Sequence, residues 1–397
     1  MILIKTYNSI HQIDREHWDH ILDAADVFHS WQFIRIVEDG KVENSRFKYL
    51  LFYKNDVLVG STVLSAFTIS LDIFISDAAW VRQLKKWRAD FFNIKILICG
   101  LPASFGQLNL KIVDNNMADE ICSLIAAEMK TLAKEWKISF LSVKEFLAHN
   151  KQLGKQFLEE GFFLANSIPY MMLPIRWDGF STYISSLRHA YRRHILQALY
   201  KVGCDYPTIT PVNEYDKNEP GIKWVLSKPG WMNPKDYYAL YLRVMGRTKT
   251  KLETLNEYFF KELFSDDQQQ YELLSLVKKG KIISSALLVA HGDTLTFMLV
   301  ARANEKDKYD SYFNLVYGII AYAIEQKFSK VKLGQTAYWI KQSVGGISEN
   351  QYLYFACTGR FRHFILKKFN SLIFPEIKLK SINTFKDVVN AQSILSK

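Results

Sequence analysis

The stretch LGQTAYWIKQSVGG, residues 333–346, holds no histidine, carboxylate or cysteine, yet Lys341 stands about one helical turn before the pair Gly345-Gly346. A lysine in that place supplies positive charge to a developing oxyanion or to a phosphate, and paired glycines let the backbone approach an anionic group closely. Gln335, Thr336 and Gln342 fall in the same stretch and are read with the glycines as donor-contacting residues, while Tyr338 and Trp339 are read as walls of an acyl or acceptor pocket. Elsewhere, Glu145 closes the apolar run ISFLSVKE, where a carboxylate at a strand end serves as an acid or base. Gly100, Ser104 and Gly106 form a second glycine-bearing loop. Arg188 and Arg192 share one face of a basic helix, and His189 and Arg193 another, so that one pair can grip a phosphate. Asn314 and Tyr317 point toward a cleft from the start of a helix capped by Asp310, and His291 lies in an exposed HGDT turn.

These residue types suit acyl transfer to an amine, which needs a neutral amine about 3–3.5 Å from an activated carbonyl, and a stabilised oxyanion. No protein nucleophile is required. The chain shows neither a GxSxG elbow nor a Ser-His-Asp order, which argues against a hydrolase. Cys99, Cys122, Cys204 and Cys357 lie far apart with no CxxC pair, so no metal site and no disulfide framework is expected. A net charge of +11 favours an anionic partner, such as a nucleotide cofactor, a nucleic acid or an acidic membrane. The N-terminal stretch reaches charge too early for a signal peptide, and no apolar run attains the ~20 residues of a membrane span. The expected location is cytoplasmic, with at most contact at the inner face of the membrane.

The elements that must position these residues repeat in order. The first half reads as the strand ILIKTY, helices over 15–24 (capped by Asp14) and from Ser30, a hairpin turning at KNDV, the strand IKILICG, a helix over 114–136, the strand ISFLSVKEF, a short helix ending at Gly161 and one long strand FFLANSIPYMMLPI. The second half reads as one basic helix over 178–201, two further helices, a meander turning at KKGK and HGDT, the helix SYFNLVYGIIAYAIEQKF, the strands VKLG and YLYFACTG, and a basic tail. The matched order implies an internal duplication. It gives domains at 1–175 and 176–360, with residues 361–397 as a tail packed on the second domain.

Several stretches resemble one superfamily. YISSLRHAYRRHILQALYKVGCDY is similar to its arginine-rich helix, LNEYFFKELF to its yF-eL helix, and residues 277–336 to its hairpin, Gly-Asp turn, helix and strand ending in Gly. Lys341–Gly345 stands in the place of its K-x-x-x-G loop, FHSWQFIRIVED resembles its F-x-S-x-x-f helix, and CGLPASFGQL its Gly-Leu-Pro loop. The family is that of the Fem-type peptidoglycan aminoacyltransferases and tandem acetyltransferase-like proteins. The resemblance implies an α/β chain of two tandem GNAT-like domains, with mixed, mostly antiparallel sheets flanked by helices. It implies an N-acyltransferase with no tightly bound cofactor. Its co-substrate is acyl-CoA or aminoacyl-tRNA, and its acceptor a small-molecule or cell-envelope precursor amine. The R/Q-x-x-G-x-G/A phosphate signature is matched only in part, because Ile347 replaces its last small residue. The alternative is therefore a non-catalytic GNAT-like module that binds an anionic lipid or cell-wall precursor.

Overall fold

The computed structural model describes residues 1–70, 93–103, 105–247, 254–265, 270–303 and 307–387. In chain order the first elements are β1 (Leu3–Tyr7), α1 (Arg15–Asp19), α2 (Trp31–Asp39), β2 (Arg46–Lys54), β3 (Val57–Ser70), β4 (Asn93–Cys99), β5 (Leu110–Ile112), α3 (Ala118–Glu135), β6 (Phe140–Leu147), α4 (Gln156–Glu159) and β7 (Phe163–Asn166). Then come β8 (Tyr170–Pro174), α5 (Phe180–Ser186), α6 (His189–Tyr200), β9 (Ile209–Pro211), β10 (Lys223–Ser227), α7 (Pro234–Met245), α8 (Glu257–Ser265), β11 (Tyr271–Lys278), β12 (Lys281–His291) and β13 (Thr294–Arg302). The chain closes with α9 (Ser311–Glu325), β14 (Lys330–Gly334), α10 (Tyr338–Ser343), β15 (Ile347–Glu349), β16 (Gln351–Cys357), α11 (Arg360–Lys368) and α12 (Asn370–Ile373).

The strands form two sheets. One runs β1-β2-β3-β4-β6-β16-β7 with β5 also against β3, and the other runs β15-β8-β14-β13-β12-β11-β10-β9. Each holds an antiparallel meander followed by a parallel pair across a helical crossover, as parallel neighbours require, and the second sheet also pairs β9 with β10 in parallel at its edge. The crossover pairs are β4 with β6 across α3, and β13 with β14 across α9. Beside each crossover pair lies a strand from the other half of the chain. β16 sits between β6 and β7, and β8 sits between β14 and β15. The compact units follow the sheets: Met1–Pro169, Lys249–Phe259 and Asn350–Ile377 form one, and Tyr170–Thr248, Phe260–Glu349 and Lys378–Lys397 the other. The halves are thus not the contiguous blocks 1–175 and 176–360. Leading from β7 to β8, the expected single strand FFLANSIPYMMLPI breaks at Ser167–Pro169, where proline withholds a ladder donor.

The apolar spacing placed most helices correctly. α3 buries Ile121, Ile125, Met129 and Leu132 on the first sheet, and α9 buries Leu315, Ile319, Ile320 and Ala323 on the second. Asp14 and Ser30 cap α1 and α2 by accepting from His17 and Phe33 N–H. The helix expected over 178–201 is two, because Leu187 and Arg188 are extended: Leu187 bridges to Phe385, and Arg188 N–H donates to Thr384 O at 2.9 Å. Asp310 does not cap α9 with its side chain. Ser311 N–H instead donates to Asp307 Oδ1 at 2.7 Å. His291 is buried rather than exposed, its Nε2 paired with Thr296 Oγ1 at 2.9 Å. The tail divides, with α11 and α12 packing in the first unit and Lys378 onward in the second. Among the described residues no helix is long and apolar enough to cross a membrane.

Candidate active site

In the second unit β13 and β14 pair only over Thr294–Thr296 and Lys330–Lys332. Beyond that point both strands carry an extra residue. Met298 has no partner between Phe297 and Leu299 in the β12 register, and Leu333 has none between Lys332 and Gly334 in the β8 register. Bulges bend strands and end pairing, so the parallel pair parts here. Gly334 leaves the sheet at φ +82, and Thr336 and Ala337 follow at +61 and +47, a left-handed conformation that non-glycine residues adopt at a cost. This strained turn aims the Gln335 carbonyl at Lys341.

Lys341 is 3% exposed, and its Nζ donates to Gln335 O at 2.6 Å. A Cβ added at Gly334 would lie 3.6 Å from both that Nζ and Phe297 O, which puts the lysine head at the parting of the strands. Among the described residues no carboxylate pairs with it. Burial disfavours the charged amine and lowers its pKa from 10.5 to about 7. Near neutrality the group is therefore divided between ammonium and amine, able to donate a hydrogen bond to an oxyanion or to exchange a proton.

The Gly345-Gly346 pair has a different task. Gly345 N–H donates to Gln342 O and Gly346 N–H to Lys341 O, each at 2.8 Å, and Gly345 has φ +93. This is a Schellman cap on α10, which leaves neither N–H for a phosphate. The expected loop is thus a short helix with its stop signal. Both glycines line a cavity of about 200 Å³ with Arg176, Trp177, Asn383 and Phe385. The Phe385 ring lies over Gly345, where a Cβ would fall 2.2 Å from it. Gln342 Nε2 donates to Lys380 O, and Thr384 Oγ1 to Gln342 O.

On the other side of α10, Trp339 is 55% exposed and joins His194 and Phe313, with ring centroids 4.9–6.0 Å apart. His194 Nδ1 lies 3.3 Å from Tyr317 OH. His194 also lines an open hollow of about 800 Å³ on α6 with Arg192, Arg193 and Lys201, the last paired to Asp310 at 2.7 Å. Arg188 is not part of that group, since its Nε donates to Phe385 O at 3.0 Å. Asn314 is fully buried, tying α9 to α6 through Ala198 O at 2.8 Å. Tyr338 packs on the core, and burial raises its pKa to about 12.

The first unit shows a related arrangement at β4 and β6. Lys144 and Glu145 together oppose Leu353 as a bulge, with Glu145 at φ +69 and 4% exposed. Glu145 Oε1 accepts from Gly106 N–H at 3.1 Å, its Oε2 lies 4.0 Å from Lys144 Nζ, and that Nζ donates to Ala103 O. Gly100 turns at φ +134 with its N–H on Val63 O. Ser104 lies outside the described residues. The predicted residues that are described therefore fall into two sets, with Gly100, Gly106 and Glu145 in the first unit and the others in the second. The sequence reading named Arg193 as one of a phosphate-gripping pair, and missed Met298, Phe313 and Phe385 as site residues. Gly334 alone had a signal, as the glycine closing VKLG.

Both crossover helices begin among carboxylates: Asp307 and Asp310 before α9, and Asp114, Asp119 and Glu120 around the start of α3. A helix N-terminus attracts anions, but these are already provided for by the chain itself. Burial raises the thiol of Cys99 to about 12 and that of Cys204 to about 11, and holds that of Cys122 well above its ordinary value, so these three are protonated and inert. Among the described residues no group of three metal-binding side chains occurs.

Two sheets of this order, each split after a crossover helix, define a tandem GNAT-like protein. The chain belongs to the FemAB-like family, whose model, described as peptidoglycan biosynthesis/recognition, matches residues 9–338. No curated protein matches the chain. Among solved structures, FemX is similar at 11% identity and a TM-score of 0.52 over 87% of this chain and 96% of its own. The C-terminal domain of a putative lysylphosphatidylglycerol synthetase from Agrobacterium fabrum is similar at 11% identity and a TM-score of 0.51 over 93% of this chain and 99% of its own. A tandem GNAT protein from the clavulanic acid biosynthesis pathway matches at 10% identity and 0.48 over 90% and 99%.

Proposed function

We propose that this protein is an N-acyltransferase that moves an aminoacyl group from aminoacyl-tRNA to an amine of a cell-envelope precursor. The observation that carries the reading is Lys341, a buried lysine with a pKa near 7 at the point where β13 and β14 part. The acceptor's neutral amine attacks the ester carbonyl, forming the N–C bond and moving the C=O electron pair onto oxygen. The Lys341 ammonium turns from Gln335 O to that oxyanion, the C–O bond to the ribose breaks, and the amine's proton passes to the departing oxygen. Arg192 and Arg193 hold donor phosphates, and the exposed Trp339 and Tyr200 offer faces for stacking. Acyl-CoA is disfavoured as donor because the Gly345 and Gly346 N–H groups are bonded within the chain and both crossover helices start among carboxylates.

The test is a transfer assay with the full chain, offering aminoacyl-tRNA or acyl-CoA as donor and peptidoglycan precursors as acceptor. Transfer from the tRNA donor, reduced about 10²–10³-fold in kcat by Lys341→Met, is the expected result. Binding of precursor without turnover by either donor would instead identify a non-catalytic recognition module. Turnover that survives Lys341→Met unchanged would remove the lysine from the mechanism.

A further inference from the structure

The outer surface of α11 and α12 carries chemistry that the transfer site does not use. Their inner side is satisfied: Leu366 and Ile373 pack on the cluster of Phe163, Phe355 and Phe374, His363 Nδ1 accepts from Cys357 N–H at 3.2 Å, and Asn370 Nδ2 donates to Leu164 O. Facing outward, Phe361 is 76% exposed, Phe364 61%, Phe369 47% and Leu372 61%. Arg360, Arg362, Lys367 and Lys368 are exposed among them, and no acidic residue occurs from Thr358 to Pro375. Single exposed apolar residues are ordinary on a protein surface, but four large ones within twelve residues form a patch.

We propose that α11 and α12 dock the protein on an anionic phospholipid bilayer. Phenyl rings on a short helix lying along the protein surface suit the boundary between headgroups and acyl chains, and flanking lysines and arginines suit lipid phosphates. The charge also argues against a second copy of the chain as the occupant. A two-fold contact would set four positive charges against four more, with no carboxylate between them.

The experiment is co-sedimentation of the full chain with phosphatidylcholine vesicles, with and without phosphatidylglycerol. Binding is expected only to the anionic vesicles, and is weakened by salt. The double variants Phe361→Ser with Phe364→Ser, and Lys367→Gln with Lys368→Gln, should each weaken it about tenfold or more. Their thermal melting should match the parent, because the altered side chains face water. Failure of the parent chain to bind anionic vesicles overturns the proposal, as does equal binding to neutral ones or unchanged binding by both double variants. A change confined to self-association or to oligonucleotide binding would assign the patch to another partner and overturn it too.

Discussion

At the scale of the residue, Lys341 links the fold to the proposed chemistry through one lowered pKa. A lysine whose folded pKa is about 7, against 10.5 when solvated, binds its proton less tightly in the native state. The unfolded chain therefore carries more protons between those values, and this group's contribution to stability rises with pH from about 7 to 10.5. Lys341→Met should be more stable than the parent at acid pH, by at most roughly 4–5 kcal/mol, with the gap closing toward alkaline pH. Urea unfolding at about pH 6 and about pH 10 measures that convergence, and parallel curves would refute it. The same pKa bears on the proposed catalysis. If the ammonium serves the oxyanion, the transfer rate falls as pH rises through about 7. Lys341→Arg, which stays charged, should lose that descending limb even where its overall rate is low.

At the scale of the element, α10 shows how one motif serves packing and site together. The K-x-x-x-G spacing reads in the sequence as a ligand loop, whereas its glycine takes the left-handed position of a Schellman cap and the same helix turn carries Lys341 inward. What the spacing did not disclose is that the cap itself uses the glycine N–H groups. Gly345→Ala has to hold φ +93 and displace the Phe385 ring, so a loss of about 2–4 kcal/mol is expected, read as a lower melting temperature. On α6, the Arg192→Gln, Arg193→Gln double variant should raise KM for an RNA donor and flatten its dependence on salt, with kcat little changed. A salt profile like the parent's would detach the α6 hollow from donor binding. Arg188 belongs to another task, holding the segment at Thr384–Phe385, because its backbone is extended ahead of α6. Helical periodicity read through Leu187 and Arg188 because nothing local marks the break. The partner that extends them lies almost 200 residues away.

At the scale of the whole molecule, the exchanged strands decide how the chain can be cut. A fragment of residues 1–175 lacks β16, which pairs with β6 and β7, and a fragment from 176 lacks β8, which pairs with β14 and β15. Each would leave open ladder edges and uncovered apolar residues in its sheet. Neither should give a cooperative unfolding transition alone, while co-expression of the two should restore a soluble complex. A soluble, cooperatively unfolding 1–175 fragment would contradict the exchange.

The sequence by itself determined the local pieces: most helices from their apolar spacing, the N-caps at Asp14 and Ser30, and the repeated order of elements. These depend on interactions within a few residues, so they are written in consecutive positions. Only the tertiary structure decided which strand enters which sheet, because β8 and β16 are equally apolar runs and pairing depends on partners far along the chain. It also decided that Lys341 is buried where two strands part. A lysine near Gly-Gly reads the same whether solvated or enclosed. Its lowered pKa follows from desolvation, which depends on everything packed around it rather than on its immediate neighbours.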